Sequence, residues 1–199
     1  FELIVEIEKL HLGFKIKGYL KGYVDEVEVF KFKRPDKLLV NNWQSWGPSK
    51  VIQKDFQLNF PKELIQKFGF SASIMPESYF DNLLSDYYVA SERFFVGCLS
   101  SKVAHPYFQI GGDEVSFKLK YFGMNFNEWN ETETIVILLD KPEVTLPYYA
   151  DLVAKENVVN ISDKRLIGWS SWYQYFVDFD YEKMCADLEN ARGKGYDVF

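Results

Sequence analysis

From Phe1 to about Leu139, apolar and polar residues alternate along the chain. Phe14-Lys15-Ile16-Lys17, Glu26-Val27-Glu28-Val29, Phe30-Lys31-Phe32-Lys33 and Val115-Ser116-Phe117-Lys118-Leu119-Lys120-Tyr121 each separate an apolar from a polar face. Successive side chains of a strand point to opposite faces, so this period of two predicts strands with one face in a core and the other in water. Gly18, Gly22, Arg34-Pro35-Asp36, Gly47-Pro48 and Gly111-Gly112-Asp113 punctuate the pattern, the last as a hairpin turn. Half-buried strands at turn-separated spacing predict an antiparallel β-sandwich over residues 1–141. Residues 61–67, opening on Pro61, are expected to form one short helix within it.

The period changes after Lys141-Pro142. Residues 142–163 read as a linker whose helix runs from Pro147 to Asn157, with proline in the first turn. Beyond it, Leu166-Ile167-Gly168-Trp169 reads as a short apolar strand and Asp180 as the N-cap of a helix through Asn190. Met184, Leu188 and Ala191 mark that helix's buried stripe, Gly193 and Gly195 end it, and Tyr196 to Phe199 begin another strand. One strand-helix-strand unit cannot close a sheet or bury both faces of its strands. Residues 164–199 are therefore expected to open a larger α/β domain that continues past Phe199.

Composition narrows the function classes. With 47% hydrophobic and 26% charged residues the 199-residue chain can bury a real core. Its net charge is -6 with basic residues scattered among the acids, so nothing supplies the basic stripe that a nucleic-acid backbone requires. No apolar run approaches the roughly 18 residues of a membrane span, and Ile135 to Leu139 fits a buried strand. A cytoplasmic protein with no nucleic-acid or membrane partner is expected, although a chain opening on Phe1 rather than Met is not read as the native start. Cys98 and Cys185 lack neighbours at ligand spacing, which argues against zinc and for two small buried hydrophobes.

Two segments concentrate the tryptophans: Asn41-Asn42-Trp43-Gln44-Ser45-Trp46-Gly47-Pro48 and Gly168-Trp169-Ser170-Ser171-Trp172-Tyr173-Gln174-Tyr175-Phe176. An indole face packs against the C–H face of a sugar while neighbouring amides and hydroxyls bond its OH groups. Both segments read as walls of a sugar site; the alternative is that the indoles fill a core, but a core run would carry more aliphatic neighbours.

Catalytic groups are harder to find. Among 29 acids no pair stands out for acid/base work. Asp86, beside Tyr87 and Tyr88, is the best isolated candidate, against a capping or turn role. His11 and His105 lie far apart without an adjoining nucleophile. Ser100-Ser101-Lys102 superficially suggests a Ser-Lys dyad but reads as a strand-to-turn connection. No phosphate-binding glycine loop occurs. No cofactor or metal is expected, and no complete active site.

Four segments, in order, carry a resemblance: Leu38 to Pro48, Ser85-Asp86-Tyr87-Tyr88, Leu99 to Phe108, and Gly168 to Tyr173. Together they resemble the α-galactosidases of glycoside hydrolase family 36, over nearly the whole chain. The resemblance implies a β-sandwich followed by a catalytic (β/α)8 barrel, of which residues 164–199 would be the start. It implies that Trp46 reaches across to wall the galactose pocket, and that Trp172 and Tyr173 are the aromatic pair after the first barrel strand, where barrel sites are built. Trp43 and Trp169 are assigned to packing, and Ala104-His105-Pro106 to a structural turn.

Hydrolysis in this family retains anomeric configuration, with an Asp nucleophile and an Asp acid/base about 5 to 5.5 Å apart. Both belong to later barrel strands, so the resemblance implies no catalytic residue within this chain and a separate need for the remaining barrel. A stand-alone carbohydrate-binding module is the competing reading, disfavoured by the unfinished α/β unit. A homo-oligomer interface of exposed Phe94, Phe95, Tyr148 and Tyr149 is compatible with either.

Overall fold

The computed structural model describes residues 1–42, 49–56, 83–160, 163–176 and 178–197. The chain divides into two compact units, Phe1–Val159 and Asn160–Phe199. The first is built on alternation: β1 (Glu2–Leu10), β2 (Gly13–Lys33), β3 (Lys37–Asn42), β4 (Lys50–Gln53), β5 (Leu83–Ala90), β6 (Phe95–Cys98), β7 (His105–Ile110), β8 (Glu114–Glu131) and β9 (Ile135–Leu138). The helix expected over residues 61–67 lies outside the described residues.

All pairings are antiparallel, in the order β4-β3-β5-β6-β9-β2-β8-β7, with β1 on the edge of β2. A further β5–β7 pairing closes β5-β6-β9-β2-β8-β7 into a six-strand barrel by its pairing. The mostly-β, antiparallel expectation therefore stands, while one closing sheet replaces two stacked ones. The physical reason lies in β2. Gly18 and Gly22, expected to separate strands, lie inside it; Gly22 has φ 103° and marks a register shift after Leu20. Glycine at such a point lets a strand bulge and bend instead of stopping. A 21-residue strand can then pair with β1, β8 and β9 in turn.

Val115, Phe117, Leu119 and Tyr121 of β8 point inward as their alternation predicts. They pack with Leu20, Val89, Phe108 and Ile135 in the main core, where the Phe108 and Phe117 rings sit 4.6 Å apart. The Gly111-Gly112-Asp113 turn forms as read, Gly111 N–H donating to Glu114 O. Arg34 ties the end of β2 to two other places, its guanidinium donating to Gly111 O and Gln53 O.

A second cluster, Ala90, Phe95, Leu99, Val136 and Leu138, is covered by helix α1 (Pro142–Glu156) through Leu146, Tyr149, Leu152 and Val153. These positions recur at helical spacing on one face. The helix begins at Pro142 rather than Pro147, which falls inside it. Pro142 at N1 removes only an N–H that has no intrahelical partner, whereas an interior proline costs about 3 kcal/mol. Packing the apolar stripe on the sheet offsets that cost, at up to about 1.5 to 3 kcal/mol for each fully buried side chain.

In the second unit, α2 (Trp172–Tyr175) precedes α3 (Tyr181–Ala191). Asp180 caps α3 as expected, accepting from Lys183 N–H at 2.8 Å. Where two strands were expected, Asp197 N–H donates to Ile167 O and Ile167 N–H donates to the Asp197 carboxylate. Only Gly168 is a bridge residue there, and no ladder extends from it among the described residues. Met184 and Leu188 are 37% and 53% exposed instead of forming a buried stripe. Cys185 is likewise exposed, whereas Cys98 is buried, and both are free thiols. Among the described residues no helix is long and apolar enough to cross a membrane.

Candidate functional site

The first unit gathers polar side chains where β3, β5 and β7 meet. The β3–β5 register shifts between Val40 and Asn42, while β5 pairs with β7 so that Asp86 faces Tyr107. At that irregularity Tyr87 takes φ 61°, a left-handed conformation that costs a non-glycine residue about 1 to 3 kcal/mol and persists only where neighbours fix it. Those neighbours are on either side. Asn41 Nδ2 donates to Asp86 O at 3.0 Å, and Asn41 N–H donates to Ser85 Oγ at 2.8 Å. Ser85 Oγ donates in turn to Tyr88 O at 2.8 Å.

Asp86 and His105 stand 2.8 Å apart, Oδ1 to Nε2, both largely shielded from solvent. This is ion-pair distance without hydrogen-bond alignment. The Tyr87 ring lies 5.8 Å from the imidazole. Ser85, Asp86 and His105 are the residue types of a hydrolytic triad, yet Ser85 is fully buried and its hydroxyl is committed to backbone. The corner is built to hold shape.

Beside it runs a groove of about 560 Å³ between β5–β6 and α1. Tyr87, Tyr88 and Tyr149 supply aromatic surface, and Asn41, Ser100 and Asn157 supply polar atoms. Tyr88 stacks on Phe95 at 5.4 Å, and Tyr149 donates its hydroxyl to Cys98 O. Burial pushes the Tyr149 phenol far above its ordinary pKa, so it is a donor and not a base. Asn157 Nδ2 donates to Leu99 O at 2.8 Å. The 99–104 connection is held from beneath by Glu133, 1% exposed, which accepts from Val103 N–H, Ala104 N–H and Ser100 Oγ. Ser100-Ser101-Lys102 is thus the connection its sequence suggested. The exposed lining is mainly apolar, and the Asn41, Ser100 and Asn157 side chains are engaged in bonds within the chain. Among the described residues no group of three or more His, Cys, Asp or Glu converges as metal ligands would.

Trp43 and Trp46 lie outside the described residues. Trp172 and Tyr173 belong to the second unit, where α2 leaves them 47% and 92% exposed. Trp172 packs on Phe176 at 4.5 Å, and Trp169 is half-buried. His105 corrects the expectation of a structural turn at Ala104-His105-Pro106: it opens β7 and pairs with Asp86. Only the β5–β7 pairing brings these residues together, so sequence proximity carried no signal. The four aromatics expected on an exposed interface are not exposed. Phe95 is fully buried, Phe94 packs on the main core, and Tyr148 and Tyr149 pack on the outer cluster.

Residues 6–139 match a protein-family model described as "Alpha-galactosidase, N-terminal". The match takes in well over half of the chain, and the chain belongs to that family.

Proposed function

We propose that, within this family, the chain is the N-terminal part of an enzyme hydrolysing terminal α-linked galactose with retention of configuration. Trp46, Trp172 and Tyr173 serve as its substrate-contacting aromatics. The match over residues 6–139 carries this reading. It is supported by the bracing of Asn41, at the root of the segment that bears Trp46.

An indole ring at Trp46 would offer its apolar face to the C–H face of galactose, and Trp172 and Tyr173, exposed on α2, are free to do the same. Retention requires one carboxylate to attack the anomeric carbon and a second to protonate the leaving oxygen. Both are assigned here to a (β/α)8 barrel that residues 164–199 begin and later residues complete. The 199-residue chain alone is accordingly inactive in this reading.

Trp46→Ala in the full-length protein tests the proposal. Turnover of an aryl α-galactoside should weaken while the thermal midpoint holds. Unchanged kinetics in a folded variant would remove Trp46 from the site. Turnover by the pure 199-residue chain would refute the assignment of catalysis to residues beyond it.

A further inference from the structure

The outward face of the β2–β8 pair changes character along its length, from charged side chains to aromatic rings and amides. Tyr121 and Phe126 of β8 both point into the core, where their rings meet edge to face at 5.9 Å. Five residues separate them, and an odd interval breaks the period of two. The break falls at a register shift opposite Val24 to Glu26, where Phe122 and Gly123 take φ 56° and 74°. A left-handed conformation is unfavourable for a residue with a side chain and persists only where its surroundings fix it. Here it turns Phe122 outward, 64% exposed. Beyond the break Asn125 and Asn127 point outward, on either side of the buried Phe126. Tyr23 is the register partner of Asn125, shares its face, and is also 64% exposed.

We propose that this face binds a neutral saccharide, with the Tyr23 ring against the C–H face of a sugar and the Asn125–Asn127 amides bonding its hydroxyl groups. A Cβ on Gly123 would lie 3.2 Å from the Tyr23 hydroxyl oxygen and 3.8 Å from two of its ring carbons, so the ring lies over that glycine. It is thereby backed by the strand on one side while the rest of its surface meets solvent, which is what a platform for a sugar requires. Asn125 Nδ2 donates to Asn127 Oδ1 at 3.4 Å, and among the described residues these side chains have no other bond. An amide oxygen on Asn125 and an amide nitrogen on Asn127 remain, one acceptor and one donor, the pair that a sugar hydroxyl can satisfy. The charges at the border are already paired. Lys120 donates to Asp25 at 2.6 Å, and Lys21 stands opposite Glu2. A neutral ligand matches that balance better than an anionic one. This site goes beyond the hydrolytic reading given above and does not depend on it.

The test is affinity electrophoresis of the full-length protein in native gels with and without galactomannan, a neutral polysaccharide. The wild-type protein is expected to be retarded, and Tyr23→Ala to weaken its apparent affinity at least about fivefold. Turnover of an aryl α-galactoside, which is too small to engage a second site, should stay within about twofold in the same variant. If Tyr23→Ala does not fold, Asn127→Ala at an exposed position replaces it, with a loss of about two- to fivefold expected on the gel. Wild-type protein that is not retarded, or a folded variant retarded as strongly as wild type, overturns the proposal and leaves Tyr23 as a cover for Gly123. Equal losses on the gel and in aryl turnover overturn it as well, because the variant would then act through the catalytic site. A wild-type protein that galactomannan retards by way of Tyr23 but that turns over no aryl α-galactoside supports this site and refutes only the hydrolytic reading.

Discussion

Glu133→Ala would remove the acceptor beneath the 99–104 connection. Two backbone N–H groups, of Val103 and Ala104, then lose their partner in a place the side chain leaves 1% exposed to water. An orphaned buried donor costs about 1 to 3 kcal/mol, so the pair costs about 2 to 6 kcal/mol. The Ser100 hydroxyl, which also donates to this carboxylate, can rotate toward solvent and adds little. Removing a buried carboxylate returns part of its own desolvation cost, which brings the expected loss to about 2 to 4 kcal/mol. Urea unfolding is the assay. With a slope of about 2 kcal/mol per molar, the midpoint should fall by roughly 1 to 2 M at unchanged slope. Amide exchange at Val103 and Ala104 should accelerate with it. Glu133→Gln keeps an acceptor oxygen at the same reach and should lose only about 1 kcal/mol. A loss below about 1 kcal/mol in the alanine variant, or equal losses in both, would refute the acceptor role.

A Cβ on Gly13 would lie 2.0 Å from the Ile137 carbonyl oxygen, so Gly13→Ala should cost at least about 1 to 3 kcal/mol by disrupting the β2–β9 pairing. Gly112→Ala, with nothing within 4 Å, should stay within about 0.5 kcal/mol; equal urea midpoints for the two variants would contradict this. Arg34→Lys replaces a fork that reaches two carbonyls with a single ammonium and should lower stability by about 1 to 3 kcal/mol, whereas a wild-type midpoint would show that the fork is dispensable. The Lys183 N–H bonded to Asp180 holds that carboxyl below its ordinary range. The folded value is depressed, so the carboxylate's contribution to α3 is complete above the ordinary aspartate value and is lost as pH falls through the folded one. The Lys183 amide NMR shift should follow this titration, and Asp180→Asn, which still caps, should abolish it; persistence of the step in that variant would assign it to another group.

Local periodicity carried the strands because alternation is a property of neighbouring residues. Val115 to Tyr121 and Phe30 to Lys33 form strands as read, as does the turn at Gly111 to Asp113. The Asp180 cap was legible for the same reason, since donor and acceptor are three residues apart. The tryptophan segments and the order of the four motifs pointed to the family that the match over residues 6–139 independently identifies.

Closure of the sheet was decided elsewhere. It depends on long strands bending at bulges and on β5 meeting β7, events governed by packing between residues far apart in sequence. The same holds for Asp86 with His105, for Glu133 beneath a connection some thirty residues earlier, and for Asn41 with Ser85 and Asp86. Sequence determined which side chains have an apolar face or a hydrogen-bonding group to offer, because those are properties of single residues and short repeats. Which of those groups meet was left to the tertiary structure, because a buried donor or carboxylate must take its partner from whatever strand the folded sheet lays beside it.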